Sequence, residues 1–352
     1  DWRGGKLEQI DRSEGADIGL RVLIGQQQAG ASTSDPSPKA LAALVERVVA
    51  MAKVAPEDPT AGLADPSQLA SEWPELDLED SAEPSVEDIQ ARAAAAEDAM
   101  LAVAGVSLNS EGAGAAWGRS SLSVVASNGV SASYRRTGSN ITAVALAGEG
   151  TGMERDYYMH RAVHAADLEA AADIGRLAGE RTVQALGARK IKSQQVPIIF
   201  DRRVSAGLVG HMAGSINGQS IARGTSFLRE CLGEQIFAAN VQIVDDPRRV
   251  RGLASAPFDG EGLAAEPLEL VTDGVLQQWL LNLATARQLG LESNGRGTRS
   301  VGASPGVGAT NLYMKAGDIS RADMIGGIEQ GLLVTGLIGQ GVNLITGTYS
   351  RG

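Results

Sequence analysis

The stretch Leu122-Ser-Val-Val-Ala-Ser-Asn-Gly-Val-Ser-Ala-Ser-Tyr134 carries the plainest structural message in the chain. Leu122, Val124 and Ala126 alternate with polar residues, Asn128-Gly129 marks a two-residue hairpin turn, and Val130, Ala132 and Tyr134 resume the alternation. Strand side chains point to opposite faces with a period of two, and Asn-Gly tolerates the positive φ of tight hairpin turns. An antiparallel hairpin is predicted. A further segment, Ile141 to Leu146, continues it as a meander, which Gly148-Glu-Gly-Thr-Gly152 closes as a turn. That glycine cluster has neither the spacing nor the following helix of a phosphate-binding loop.

Upstream, Ile18-Gly-Leu-Arg-Val-Leu-Ile24 reads as a strand, and Ser37-Pro38 opens a helix with a cap and a proline at its first position. Leu41, Leu44, Val45, Val48 and Ala52 recur at the three-and-four spacing of one apolar stripe. Ser85-Val-Glu-Asp88 resembles a capping box before an alanine-rich helix ending near Gly105. Between the two helices lies an acidic, proline-containing stretch, residues 54–88, read as a solvated linker. Glu57 to Asp88 holds eleven acids and no Lys or Arg, and the other 31 acids equal the 31 bases, so the net charge of −11 is local. Direct DNA binding needs a face of phosphate-neutralising Lys and Arg, and none is evident.

Downstream, Asp167 to Leu186 reads as a helix stopped by Gly187, then Val196 to Phe200 as a strand and Arg203 to Gly218 as a glycine-punctuated helix. A second hairpin turns at Asp273-Gly274 between Leu268–Val271 and Val275–Trp279. Glycines crowd Gly290–Gly308 and Gly331–Gly352, and long glycine-rich loops usually carry function or approach another chain closely. The expected architecture is α+β, with an N-terminal strand-and-helix domain over residues 1–190 and a β-rich domain over 191–352.

At 352 residues, 43% hydrophobic and 21% charged, the composition is that of a globular protein of two or three domains. No apolar run approaches the ~18 residues that span a bilayer. The single Cys231 makes no internal disulfide, which suits a cytoplasmic location. The chain begins at Asp1 rather than Met and stops at Gly352, so its natural ends are expected to lie beyond both and a leader stays an open question.

Few residues suggest chemistry. His160 and His164 stand four apart, a metal-site spacing on a helix, but the preceding Met153-Glu-Arg-Asp-Tyr-Tyr158 looks extended and no Glu follows His160. Exposed polar residues near a domain join are expected instead. His211 lies on a helix whose Gly207, Gly210, Gly214 and Gly218 form a small-residue stripe, so that helix is expected to be buried and the histidine to be a packing residue. Cys231 reads as core, and neither a serine elbow nor a phosphate loop is present.

Phe227-Leu-Arg-Glu-Cys-Leu-Gly-Glu-Gln-Ile-Phe237, Arg251-Gly-Leu-Ala-Ser-Ala-Pro-Phe-Asp-Gly-Glu-Gly262 and Asp273-Gly-Val-Leu-Gln-Gln-Trp-Leu-Leu281 closely resemble the TldE (PmbA) branch of the TldD/PmbA family. Met153–Tyr157, Thr285–Gly290 and Gly339–Asn343 do likewise, and the resemblance spans nearly the whole chain. The other branch, TldD, is a metalloprotease with a His-Glu-x-x-x-His zinc helix. Aligned on Arg223-Gly-Thr-Ser226, Gly210 falls at the first histidine, His211 at the glutamate and Ser215 at the second histidine. The resemblance thus implies a degenerate motif, no zinc or other cofactor in this chain, and zinc in a TldD-type catalytic partner. It implies a cytoplasmic hetero-oligomer that cleaves unstructured peptides, including leader peptides of peptide antibiotics and an antitoxin. The family's label as a modulator of DNA gyrase is read as an indirect effect of proteolysis. Two rival readings are a stand-alone peptide-binding or regulatory protein and an independent hydrolase using His211 or Cys231.

Overall fold

The Asn128-Gly129 turn closes a hairpin, but over three residues rather than two. The Ala126 amide donates to the Val130 carbonyl at 3.0 Å and the Gly129 amide to Ala126 at 3.1 Å, with Gly129 at φ +101°. The computed structural model describes residues 1–339 and 341–350; Gln340, inside the family-like Gly339–Asn343, and Arg351 and Gly352, at the end of the 331–352 glycine run, lie outside the described residues.

The chain opens with β1 (Trp2–Arg3) and β2 (Lys6–Leu7), then a hairpin of β3 (Ile18–Ile24) and β4 (Gln27–Thr33), the second of which has no clear alternation in sequence. Helix α1 (Pro38–Val54) starts at its Ser37 cap, and α2 (Val86–Leu101) at the Ser85–Asp88 capping box, as their sequences predict. The long hairpin is β5 (Gly112–Val125) with β6 (Ser131–Ala147), and β7 (Glu154–Ala162) follows. Ile141–Leu146 is therefore not a strand of its own but the far half of β6. The expected break is absent because Thr137 and Ser139 face the core within the same alternation, and the Thr137 hydroxyl donates to the Val163 carbonyl at 2.9 Å.

These strands form a sheet of order β2-β1-β5-β6-β7, with α2 and α3 (Ala171–Gln184) packed on one face. Ile141, Ala143 and Ala145 of β6 meet Met100 of α2 and Ile174 of α3 in a closed core. Burying each of Met100, Ile141 and Ile174 stabilises the fold by about 1.5–3 kcal/mol. Small residues let the helices close up: a Cβ on Gly175 would stand 1.9 Å from the Ala96 carbonyl oxygen. Helix α3 starts after the expected Asp167, because His164–Leu168 first makes a short 3-10 turn.

The second half begins with β8 (Ile198–Phe200) and α4 (Arg202–Ser215), which breaks at Ile216-Asn217 before α5 (Gly218–Ala222). The single helix expected to Gly218 is thus two, because the Asn217 side chain caps a new start by accepting from the Gln219 amide at 2.9 Å. Then follow β9 (Ile243–Asp245), β10 (Leu268–Thr272), β11 (Val275–Leu276), α6 (Leu283–Leu289), β12 (Gly297–Thr298), β13 (Gly306–Val307) and β14 (Leu312–Met314). The chain continues through α7 (Arg321–Gly326), β15 (Leu332–Val334), β16 (Val342–Asn343) and β17 (Thr348–Tyr349). A four-stranded sheet runs β11-β10-β9-β14, with the predicted Asp273-Gly274 turn between β10 and β11, at φ +50° and +79°. Its core joins Ile243, Leu270, Val271 and Leu276 to Met212 and Ile216 at the end of α4.

The acidic stretch is not a free linker. Ala64, Leu76 and Leu78 are buried, and Leu69 packs on Leu263. Asp77 Oδ2 accepts from Arg251 Nε at 2.6 Å, and Arg287 Nη2 donates to the Leu63 carbonyl at 2.7 Å. Most of its acids face outward, while Leu69 packs on Leu263 of the second half and the Leu78 carbonyl accepts from the Thr137 amide of the first, so the stretch is a strap across the molecule. No helix among the described residues is long and apolar enough to cross a membrane.

Candidate functional site

Helix α4 is fixed at its start by charge and at its end by apolar packing. Asp201 caps it, accepting from the Arg203 amide at 3.2 Å, and the Arg203 guanidinium grips both carboxylate oxygens of Asp156 at 2.6 and 3.1 Å. That bidentate bond raises Arg203 above the ordinary guanidinium pKa. Arg203 also lies 5.1 Å from the Tyr157 ring centroid and donates to the Thr335 carbonyl. The Met153–Tyr157 stretch on β7 therefore clamps the first turn of α4.

The three positions singled out by sequence lie near the helix's other end. Gly210 is exposed, with no atom within 4 Å of where a Cβ would stand. His211 is half-buried; its Nε2 is buried without a hydrogen-bond partner among the described residues, and its ring lies 6.0 Å from Tyr349, edge to face. Ser215 is fully buried, and its hydroxyl donates to the His211 carbonyl at 2.9 Å. A protein zinc site takes about three side-chain ligands, and these positions present one imidazole, no side chain and a hydroxyl already bonded to the helix backbone. No group of three or more His, Cys, Asp or Glu able to hold a metal occurs among the described residues.

The glycine stripe does not bury this helix as expected. Gly207 and Gly210 face open space, Gly214 meets Leu344 at 3.3 Å, and only Gly218, in α5, is tightly packed, against the Leu280 carbonyl. The glycines of 290–308 make their close approaches inside the chain: a Cβ on Gly19 or Gly30 would collide with the Gly302 backbone, at 2.2 and 2.1 Å. His160 lies on β7 and His164 just beyond it, so they share no helix face. Both are half-buried rather than exposed. His160 Nδ1 accepts from the Glu169 amide at 3.1 Å, while His164 Nε2 lies 3.0 Å from the Asp77 carbonyl, tying the strap to β7. Cys231 is half-buried beside the second core, its thiol 3.9 Å from the Phe227 carbonyl.

Sequence reasoning missed two features. The first is a set of buried charges around the glycine loops. Arg296, 1% exposed, pairs with Asp245 and donates to the carbonyls of Asn294, Gly295 and Glu266. Nearby, Asp259 accepts backbone bonds from Glu261, Leu263 and Gly297, and Glu261 accepts from the Leu283 amide at the start of α6 at 2.8 Å. Burial raises both carboxyls, Glu261 to about 7 with a further push from Asp259. The second is a cleft of about 590 Å³ between Ser120–Val125 of β5, Gly19–Arg21 of β3 and the loop Gly295–Ala303. Neither has a sequence signature, since single charges and serines are scattered through glycine-rich text.

An antiparallel sheet under two helices, joined by a strap to a β-rich half whose glycine loops close on buried charges, defines an α+β scaffold. Three consecutive domains of one family match: PmbA/TldA metallopeptidase domain 1 over residues 1–52, the central domain over 79–186 and the C-terminal domain over 193–352. The chain belongs to the PmbA/TldD family, on its PmbA (TldE) side. It is 36% identical over 352 residues to metalloprotease PmbA of Escherichia coli O157:H7, covering 99% of this chain and 76% of that one. A metalloprotease TldD homolog of Haemophilus influenzae is 30% identical over 142 residues, 40% of this chain and 29% of its own. Among solved structures, a Bacteroides thetaiotaomicron protein described as a candidate modulator of DNA gyrase superposes with a TM-score of 0.85 at 26% identity, covering 95% of this chain and 74% of its own. TldE of Thermococcus kodakarensis shares the fold, with a TM-score of 0.81 at 20% identity over 96% of this chain and 76% of its own.

Proposed function

We propose that this chain is the non-catalytic subunit of a heteromeric metalloprotease whose zinc is carried by a TldD-type partner, and that the pair cleaves unstructured peptides. What supports the reading is helix α4: Gly210, His211 and Ser215, which the family resemblance aligns with a zinc motif, present a single imidazole among them. Zinc hydrolysis needs ligands that hold the metal and a base that draws a proton from its water. Among the described residues His211 has no carboxylate to orient it, and Ser215 is fully buried with its hydroxyl turned to the helix backbone. The likeness to PmbA and to a TldD homolog supports a protease setting and a related partner. The open face at Gly207 and Gly210 is where close backbone contact with that partner would be made, rather than the 290–308 loop. A location in the cytoplasm goes with the same reading.

The test mixes the full-length chain with its cognate TldD-type partner and follows co-elution and cleavage of an unfolded peptide against each subunit alone. A stable heterologous interface buries at least ~1,000 Å² and survives gel filtration. One joint peak, with cleavage well above either subunit, is expected. Separate peaks, with the partner equally active alone, would promote the stand-alone peptide binder. His211→Gln in the pair should leave cleavage within a few-fold, since loss of a general base costs about 10²–10⁴-fold. A loss on that scale with assembly intact would make His211 a catalyst and revive the independent hydrolase.

A further inference from the structure

Among the described residues, strand β5 has a free edge. On one side it pairs with β6 along its whole length, but on the other β1 meets it only at Ala113, opposite Trp2. In an antiparallel ladder, alternate residues turn both their amide and carbonyl toward one neighbour. The Ala126 amide bonds to Val130, so Val124, Leu122 and Ser120 also face β6. Val125, Ser123, Ser121 and Arg119 therefore present their amides and carbonyls to the open side. Ala113 has the same parity and is the residue β1 does pair. From Arg119 to Val125 the edge runs about 20 Å at ~3.3 Å per residue.

The cleft lies on that edge. All six residues Ser120–Val125 line it, and consecutive strand residues point to opposite faces, so a cavity touching all of them opens at the strand's side rather than on one face. Its far wall, Gly295–Ala303, exposes Thr298–Val301, and the cleft's volume of about 590 Å³ leaves room for a chain between the two. Arg21, Arg136 and Arg299 line the same cleft. None forms an ion pair among the described residues: their bonds go to Gln28, to the carbonyls of Gly252 and Leu253, and to the Gly260 carbonyl. Burial and the neighbouring Arg299 hold Arg21 below the ordinary guanidinium value. Of the lining carboxylates, Asp259 is buried and accepts three backbone amides, and Asp17 is exposed. A chain of net charge −11 thus gathers, among its described residues, three guanidiniums without an ion pair beside an unpaired strand edge.

We propose that the free edge of β5 takes up an extended, acidic polypeptide segment by strand addition, with Arg21, Arg136 and Arg299 facing its carboxylates. This rests on the reading that the chain handles unstructured peptides, and it names their chemistry and their place. Backbone bonds supply affinity with little regard to sequence, and the arginines supply a preference by charge.

The probe is a fluorescein-labelled unfolded peptide of ~12 residues, long enough to span the edge, with alternating Glu and Thr, and a matching peptide with Lys for Glu. Fluorescence anisotropy on the full chain should show the acidic probe binding at least ~10-fold tighter, with the preference falling as salt is raised. The pair Arg136→Gln and Arg299→Gln should bring the two probes within about 3-fold of each other, weak binding remaining. Ser121→Pro with Ser123→Pro removes two outward amides and spares the β6 ladder, so it should weaken both probes by ~10-fold or more, while Ser→Ala at the same sites should not. Should the proline variant unfold, hydrogen exchange on the unaltered chain decides. The acidic probe should protect the amides of Arg119, Ser121, Ser123 and Val125. Equal affinity for the two probes, bound probe without protection at those amides, or protection of them by the TldD-type partner without peptide would overturn the proposal. Co-elution with the partner is scored separately: assembly without probe binding sinks only this inference, and probe binding without assembly sinks only the subunit reading.

Discussion

In the N-terminal half, β6 alternates Ile141, Ala143 and Ala145 against α2 and α3, and the resulting core is mainly apolar, with Glu97, Thr137 and Ser139 also buried. In the C-terminal half the central strand β9 is three residues long, and the loops around it are held by Arg296, Asp245, Asp259 and Glu261, all buried. The first half is stabilised by area removed from water, which tolerates small shifts and fails by collision. The second has an apolar core too, but its loops depend on polar groups taken out of water together, each of which becomes costly once its partner is gone.

The largest expected effect breaks the second half. Arg296→Met leaves Asp245 buried with its charge uncompensated, and should lower unfolding stability by about 3–5 kcal/mol. The double variant Arg296→Met with Asp245→Leu should be milder than the single one, because both charges leave together. A double-mutant cycle in denaturant melts checks this, and additive losses would show that the pair is not a unit. Next comes the first half's mode of failure. Gly175→Ala puts a methyl group 1.9 Å from the Ala96 carbonyl and must push α3 off α2, at about 3 kcal/mol. An unchanged melt would mean the helices slide apart without penalty.

A third expectation separates the halves by pH. Glu261 titrates near 7 in the folded chain, above its ordinary 4.5, so the folded form holds that proton more tightly. Its stabilising contribution is whole below about pH 4.5, is lost as pH rises towards 7 and is flat above, up to about 3 kcal/mol. Wild-type stability minus that of Glu261→Gln should fall over that window, and a pH-independent difference would contradict the assignment. The smallest effect is a gain: Gly210→Ala, on the open side of α4, should stabilise the isolated chain by about 0.5–1 kcal/mol. Loss of partner binding by that variant would mark Gly210 as part of the interface.

The same contrast decides what the sequence disclosed. Ser37, the Ser85–Asp88 box and Asp273-Gly274 were legible because a cap or a turn is written within four residues. The continuity of β6 was not, since Thr137 and Ser139 look like a polar break and are core only through partners far along the chain. The strap hid behind its charge, although Leu76 and Leu78 alternating with Glu75, Asp77 and Glu79 already had the period of two that docks one side. At α4 the stripe of glycines was read as burial when two of them, Gly207 and Gly210, face outward. The cleft's arginines come from residues 21, 136 and 299, which no local pattern connects.

The account turns on where the zinc resides. The direct measurement is zinc content, by elemental analysis after mild chelation, of this chain, of the TldD-type partner and of the reconstituted pair. The account predicts no stoichiometric zinc in this chain and as much in the pair as the partner carries alone, unchanged by His211→Gln. Near-equimolar zinc in this chain by itself, lost on replacing His160, His164 or His211, would contradict it.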